Sequence, residues 1–274
     1  MMCVMARTFD RHVGETWIER VFPGGKRSSE RDDLAVEEPL EIRVDGRPVA
    51  VTMRTPGEDE ELAAGFLAGE GLIGGPDDIR SVGMSDDLAA NVIEVTTRAG
   101  LRRDPTAERS FYLSSSCGVC GKGALEHVRQ SADASPPSEP LAPETVLAAP
   151  ERARAAQRAF DRTGGLHATA LFGTDGELIV LREDVGRHNA MDKAIGSRLL
   201  DGEFPLPGIY ACVTGRTSFE LVQKASLAGL AGVVGVGAPS TLAVELAREQ
   251  GMLLCGFVRD GSFNVYAGSG RVRA

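Results

Sequence analysis

Cys117 and Cys120 stand in the stretch "YLSSSCGVCGKGALEHV", where serines precede the two thiols and glycines separate and follow them. A CxxC pair has three physical uses: it binds a metal, exchanges thiols for a disulfide, or carries a sulfur atom on a nucleophilic thiolate. A structural zinc site needs a further pair of Cys or His ligands nearby. Here His127 is the near candidate and there is no second CxxC, so the zinc set is incomplete and no structural zinc is expected. Thiol–disulfide exchange wants the motif at a rigid helix start after a strand. "CGVCGKG" instead reads as a flexible loop, although reversible oxidation stays open. Sulfur carriage as a persulfide needs an accessible thiolate, a positive local field and a loop with reach. Residues 98–129 supply that field, with Arg98, Arg102, Arg103, Arg109, Lys122 and Arg129 against Asp104, Glu108 and Glu126.

Three further polar clusters stand at the ends of apolar runs. "REDVGRHNAMDKAIG" crowds Glu183, Asp184, Arg187, His188 and Asn189 into a turn between a strand and a helix. Asp184 or Asn189 can serve as an ordinary helix cap, but the density of groups exceeds what capping requires. In open α/β sheets such a turn lies at the carboxyl edge of the strands, where ligands bind. "VTGRTSFELVQKA" repeats the arrangement with Gly215, Arg216, Thr217 and Ser218, a plain cap or an anion pocket suited to phosphate. "GFVRDGSFNVY" sets Arg259, Asp260, Gly261 and Ser262 between two apolar strands, a hairpin turn or the third wall of a nucleotide pocket. "GVVGVGAPST" has its glycines in the wrong order for a Rossmann fingerprint. Hydrolytic deamination is excluded on the same grounds of missing groups. "LHATAL" places Thr169 where a zinc deaminase needs its Glu after His167, and the CxxC precedes it without proline.

The elements that position these groups are readable from periodicity. Residues 1–33 are polar and mixed and are expected to be a mobile segment. "LEIRVDGRPVAVTM" is two alternating runs about Asp45-Gly46, a hairpin signal. "DEELAAGFLAGEGLI" follows as a helix with acids in its first turn, then strands at "NVIEVTT" and "SFYLSS". Residues 34–112 thus form a small α+β domain, and residues 113–143 hold the CxxC loop and a Pro/Ser-rich connector. From 144 to 274 strands and helices alternate: a helix over 144–162, then "HATALF", "ELIVLR", "NAMDKAIGSRLL", "GIYACVT", "SFELVQKASLAGL", "GVVGVG", "STLAVELAREQ", "MLLCGFV" and "FNVYA". Short alternating units imply a layered α/β domain with a largely parallel central sheet.

Composition narrows the function classes. With 274 residues the chain can bury a sizeable core. A net charge of -9 argues against general nucleic-acid binding. Five cysteines are too few and too scattered for a disulfide-stapled secreted domain, and Cys212 and Cys255 lie in apolar runs as small hydrophobes. Arg7 and Asp10 interrupt the place of a signal peptide, and the uncharged stretch between Lys224 and Glu245 is broken by glycines and Pro239. The expectation is a cytoplasmic protein without a membrane span.

Taken together, "CGVCGK", "GGLHATALF", "REDVGRHNAMDKAIG", "TSFELVQKA", "STLAVELA" and "GFVRDGSFNVY" resemble the FdhD family, as do "LAVEEPLEIRVDG" and "ELAAGFLAGEGLI". The resemblance runs over roughly residues 34–267. It implies a sulfur carrier needed for formate dehydrogenase, which takes sulfur from a cysteine desulfurase as a persulfide. The carrier passes that sulfur to the molybdenum (or tungsten) bis-guanine-dinucleotide cofactor before the cofactor enters apo-formate dehydrogenase. On the same resemblance Cys117 is the persulfide cysteine and Cys120 its partner. The cofactor-binding stretch falls on Phe257, Val258, Arg259, Asp260, Gly261 and Ser262. The main domain is implied to be cytidine-deaminase-like without the catalytic zinc set, and the assembly a homodimer. In place of an arginine-threonine-glycine that precedes the CxxC in some members, this chain has "SSS". The rival from another class is a chaperone that binds the cofactor and docks it, with the CxxC as a redox or zinc element.

Overall fold

The computed structural model describes residues 11–84, 91–102 and 139–273. Cys3, Cys117, Cys120, His127 and the strand expected at "SFYLSS" lie outside the described residues.

The chain begins with a finding against expectation. Strands β1 (Val13–Val21) and β2 (Arg27–Ala35) pair antiparallel from Val13 opposite Ala35 to Val21 opposite Arg27. Most of the segment assigned to a mobile 1–33 is therefore a long ribbon. "PGGK" makes its turn, with Gly24 and Gly25 at φ 82° and 80° and the Phe22 N–H donating to Lys26 O at 2.8 Å. Charged residues stand on both faces among Val13, Trp17, Ile18 and Val21, so no continuous apolar face betrays the strands. Cross-strand ion pairs replace it: Arg20–Glu30 and Arg27–Glu19 at 2.6 Å, Arg31–Glu15 at 3.2 Å, and Arg31 over the Trp17 ring at 5.5 Å.

Strands β3 (Glu38–Val44) and β4 (Arg47–Arg54) form the hairpin expected at Asp45-Gly46, whose φ values of 50° and 77° are those of a tight primed turn. With β5 (Ile79–Met84) and β6 (Val92–Thr97) they make a four-stranded sheet in the order β4-β3-β6-β5, parallel only between β3 and β6. Helix α1 (Asp59–Gly69) covers it, and Leu40, Ile42, Leu62, Leu67, Ile93 and Val95 are sealed between them.

The second half carries α2 (Pro143–Ala156), α3 (Arg158–Thr163), β7 (His167–Phe172), β8 (Leu178–Asp184), α4 (Arg187–Leu200) and β9 (Tyr210–Val213). It continues with α5 (Phe219–Leu227), β10 (Gly232–Gly235), α6 (Thr241–Glu249), β11 (Leu253–Arg259) and β12 (Ser262–Ala267). The single helix expected over 144–162 is two, broken at Gln157, whose ψ of 86° leaves the helical region. The six strands lie in the order β12-β11-β10-β9-β7-β8. Only the β9–β10 and β10–β11 pairs are parallel, which corrects the expected largely parallel sheet. The four-residue turns "GTDG" and "RDGS" are too short for crossovers, so β7–β8 and β11–β12 must be antiparallel hairpins. One face packs on α4, α5 and α6 through Leu171, Met191, Ile195, Leu221 and Val233, and the other on α2 through Val146, Ala153, Phe172 and Tyr210.

The two halves interlock. A Cβ on Gly65 would lie 1.8 Å from Asp192 O, and one on Gly196 1.8 Å from Glu61 O, so α1 and α4 cross with their backbones in contact. Beside the crossing, Arg182 donates to both carboxylate oxygens of Glu61 at 2.5 and 2.7 Å. Beyond it, Lys224 reaches Asp192 at 2.8 Å and Glu70 at 3.1 Å. Burial pushes the Asp192 carboxyl up to about 7, and the two carboxylates hold Lys224 charged. Among the described residues no helix is long and apolar enough to cross a membrane.

Candidate functional site

Because β7 runs against β8 and β9, His167 at its start sits beside Asp184 and just beyond Val213, at the carboxyl edge of the strands. Four loops meet along this edge. Thr217 N–H donates to Ala238 O at 3.1 Å, Ser240 N–H to Thr217 O at 3.0 Å, and Phe257 N–H to Gly237 O at 3.2 Å. Gly237 must lack a side chain, since a Cβ there would lie 2.9 Å from Gly215 O. The loops after β8, β9, β10 and β11 therefore form one contiguous rim, which brings the three sequence clusters to a single edge.

Within the 183–189 cluster the structure separates two duties. Glu183 caps α3, accepting from the N–H groups of Ala159 and Phe160 at 3.0 and 2.8 Å. Asp184 is fully buried and accepts from Gly186 N–H at 2.8 Å, Asn189 Nδ2 at 3.0 Å and Thr55 N–H at 3.1 Å, with Lys193 Nζ at 3.0 Å. Lys193, also fully buried, donates to Thr55 O at 2.8 Å. Asn189 donates to Met53 O at 2.7 Å and accepts from Thr52 at 3.1 Å. These side chains clasp the end of β4 to the second half of the chain, with every charge answered.

Arg187 and His188 face the rim instead. His188 Nε2 lies 3.2 Å from Ser218 Oγ and 3.6 Å from Glu220 Oε2. The hydrogen bond from His188 draws the Glu220 carboxyl down to about 2, aided by Ser218 and by its own backbone N–H. Ser218 stands at the N-cap of α5 but its hydroxyl does not cap that helix. The "GRTS" turn, expected as an anion pocket, thus already holds the carboxylate of Glu220 at its helix start. Arg216 is exposed, and Thr217 is buried with Oγ1 beneath the loop, where a Cβ on Gly235 would lie 2.5 Å away.

A Cβ on Gly215 would meet the His167 ring at 3.3 Å and Arg187 Cδ at 3.6 Å, so both side chains pack close to the bare Gly215 backbone. Arg187 makes no ion pair among the described residues, and its Nε is buried without a hydrogen-bond partner. Burial, then Arg187 and His188, push the His167 pKa down. Farther along the rim, Phe257 has φ 54°, a strained value for an aromatic residue, and is 36% exposed. Arg259 lies 5.9 Å over its ring, while Val258 is part of the core and offers only its backbone. Asp260 and Gly261, at φ 53° and 74°, form the exposed tip before Ser262. Cys212 and Cys255 are buried, and burial raises both thiols to about 12, so neither is a nucleophile. No three His, Cys, Asp or Glu side chains among the described residues converge as a metal set.

Sequence reasoning singled out the rim but missed Glu220, Lys193 and the Asp192–Lys224 pair. Glu220 alone carries a local signal, an acid in a helix's first turn just after Ser218.

The FdhD/NarQ family matches residues 35–273, nearly the whole described chain. The chain belongs to that family. It is 51% identical over 259 residues to the sulfur carrier protein FdhD of Streptomyces avermitilis, covering 90% of this chain and 92% of that protein. The protein of the same name from Mycobacterium tuberculosis is 46% identical over 253 residues, covering 88% and 92%. Among solved structures, a formate dehydrogenase accessory protein from Desulfotalea psychrophila superposes with a TM-score of 0.76 at 26% identity, over 95% of this chain and 99% of that one.

Proposed function

We propose that this member of the FdhD/NarQ family is a sulfur carrier for formate dehydrogenase, a sulfurtransferase that works through a cysteine persulfide. The observation that carries the reading is the match, over about nine-tenths of the chain, to relatives named sulfur carrier protein. In this reading the Cys117 thiolate attacks the outer sulfur of a desulfurase persulfide. The donor's S–S bond breaks, its cysteine leaves as thiolate, and Cys117 holds the persulfide. In the same reading Cys120, three residues on in the sequence, is either a resolving group or a hazard kept turned away. The cargo that receives the sulfur is the molybdenum or tungsten bis-guanine-dinucleotide cofactor, bound as substrate before it enters apo-formate dehydrogenase.

The rim supports the binding half of the proposal. An exposed aromatic ring at Phe257, a guanidinium beside it at Arg259 and the Asp260 carboxylate suit a purine edge and face. The cytidine-deaminase-like description of the main domain belongs to the same proposal. So do a homodimer and a cytoplasmic location.

The test is intact mass spectrometry after incubation with a cysteine desulfurase and cysteine, on wild type, Cys117→Ala and Cys120→Ala. The expected result is a gain of one sulfur atom that disappears with Cys117. No gain in any variant, together with formate dehydrogenase activity retained by Cys117→Ala, turns the reading into a cofactor-docking chaperone.

A further inference from the structure

We infer that the β1 edge of the N-terminal ribbon pairs antiparallel with the β1 edge of a second copy of this chain, about a two-fold axis at Ile18. The inference stands apart from the carrier reading, and the matched family region begins at residue 35, at the very end of the ribbon. β1 and β2 pair with each other along nine residues and with no other strand among those described. None of residues 13–35 is buried, and none joins the three apolar clusters of the body. A two-stranded ribbon alone is marginally stable in water; a third strand or a covered face is what secures one.

What the ribbon leaves unmet is apolar surface and a strand edge rather than charge. Trp17, the only tryptophan of the chain, is 66% exposed, and Val21 on the same face is 58% exposed. Arg20–Glu30, Arg27–Glu19, Arg31–Glu15 and Asp33–Arg162 already answer most of the ribbon's charges. The last of these pairs also fixes the base of β2 against α3, beside which a Cβ on Gly165 would lie 3.4 Å from Ala35 Cβ. β1 is therefore the edge left open to a partner strand.

The charge pattern of β1 chooses both the partner and the register. Two copies of one strand paired about a two-fold axis oppose residues that share a face, so the axis passes at a residue. With the axis at Ile18, Glu15 lies opposite the partner's Val21, Thr16 opposite the partner's Arg20 and Trp17 opposite the partner's Glu19. No like charges meet in that register. With the axis at Trp17, Glu15 would oppose the partner's Glu19, and with the axis at Glu19 that residue would oppose itself. In the Ile18 register the diagonal neighbours of Trp17 are the partner's Trp17 and the partner's Val21, within reach of an aromatic side chain. The exposed apolar residues of two ribbons thus close into one patch at the middle of a four-stranded sheet.

The test follows the emission of Trp17 and its quenching by acrylamide in the full chain across a range of concentrations, with mass read by sedimentation. The proteins are wild type, Thr16→Arg and Leu242→Arg, the last adding one charge at an exposed position of α6. Arginine at position 16 faces Asp32 within its own ribbon, so it suits the ribbon's fold while repelling the partner's Arg20. Wild type should show a doubled mass, with Trp17 emission moved to the blue and its quenching reduced. Thr16→Arg meets the two-fold axis twice and should weaken association roughly tenfold, while Leu242→Arg leaves it unchanged. A chain that stays single at every concentration overturns the inference, and so does a doubled mass in which Trp17 is still quenched freely. Trp17 shielded in a species of single mass also overturns it, since the ribbon would then lie against its own body. Association that ignores Thr16→Arg overturns the β1 edge as the contact.

Discussion

Two polar clusters grow from the same short segment, and they differ in completeness. In the clasp, Asp184 takes four donors, and Lys193 and Asn189 extend the network to the backbone of Met53 and Thr55. Three residues after Asp184, Arg187 has a buried nitrogen with no partner among the described residues. Both clusters are dense in charge and both stand at the carboxyl edge of the sheet. Density therefore does not distinguish a site from a scaffold; satisfaction does. A buried charge whose every valence is met within the chain has been used for assembly, whereas an unmet one is available to something else.

The largest effect that would break this contrast comes from the clasp. Lys193→Met leaves the fully buried Asp184 carboxylate without its cation, and such a change costs about 3–5 kcal/mol. Chemical denaturation should show a midpoint lowered accordingly, and adding Asp184→Asn should recover part of the loss. A cost below about 1 kcal/mol would mean the clasp is ornamental and the contrast is wrong. Next in size is Gly196→Ala. Alanine ordinarily gains about 1 kcal/mol over glycine inside a helix. Here its Cβ would lie 1.8 Å from Glu61 O, so α1 and α4 must separate, at about 1–3 kcal/mol for overpacking or more. A net loss of stability would locate the interlock at the helix crossing, whereas a net gain would mean that the crossing can relax.

Where the sequence was legible, a local physical signal existed. Asp45-Gly46 announced its hairpin because both residues tolerate positive φ, and the alternation after residue 144 announced a layered α/β half. The ribbon of β1 and β2 was not legible, since charged residues interrupt both of its faces and its ion pairs are cross-strand rather than core-facing. Strand direction was misjudged because periodicity does not encode it, although the four-residue "GTDG" turn did. The rim itself was legible as three crowded turns. Its division into a buried clasp and rim-facing residues was not, because Asp184 meets Thr55 N–H across 129 positions of sequence and nothing near Asp184 reports that meeting.

An effect of intermediate size probes the boundary between the clusters. Glu220 is held at about 2 in the folded chain, chiefly by His188, against an ordinary carboxylate value of 4.5. Between those values the unfolded chain binds the proton and the folded chain does not, so stability rises with pH there. The contribution is fully present above about pH 4.5 and is lost as pH falls toward 2. Denaturation midpoints across that range should climb steeply in wild type and less in Glu220→Gln. Identical acid limbs would mean that His188 is not held by Glu220.

The smallest expected effect sharpens the comparison most. If Arg187 is kept for a ligand, removing its charge should cost the free protein almost nothing. Arg187→Gln breaks no ion pair among the described residues and relieves repulsion of His167. Its stability should fall within about 0.5 kcal/mol of wild type, in contrast to the several kcal/mol expected at Lys193 on the same helix. The His167 pKa is depressed by burial first and by Arg187 next, so its titration midpoint should move upward in Arg187→Gln without any anion present. A variant that is as stable as wild type and titrates His167 at higher pH would set Arg187 apart from the clasp. A variant that unfolds would place Arg187 with Asp184 and Lys193, and the rim would be scaffold to its edge.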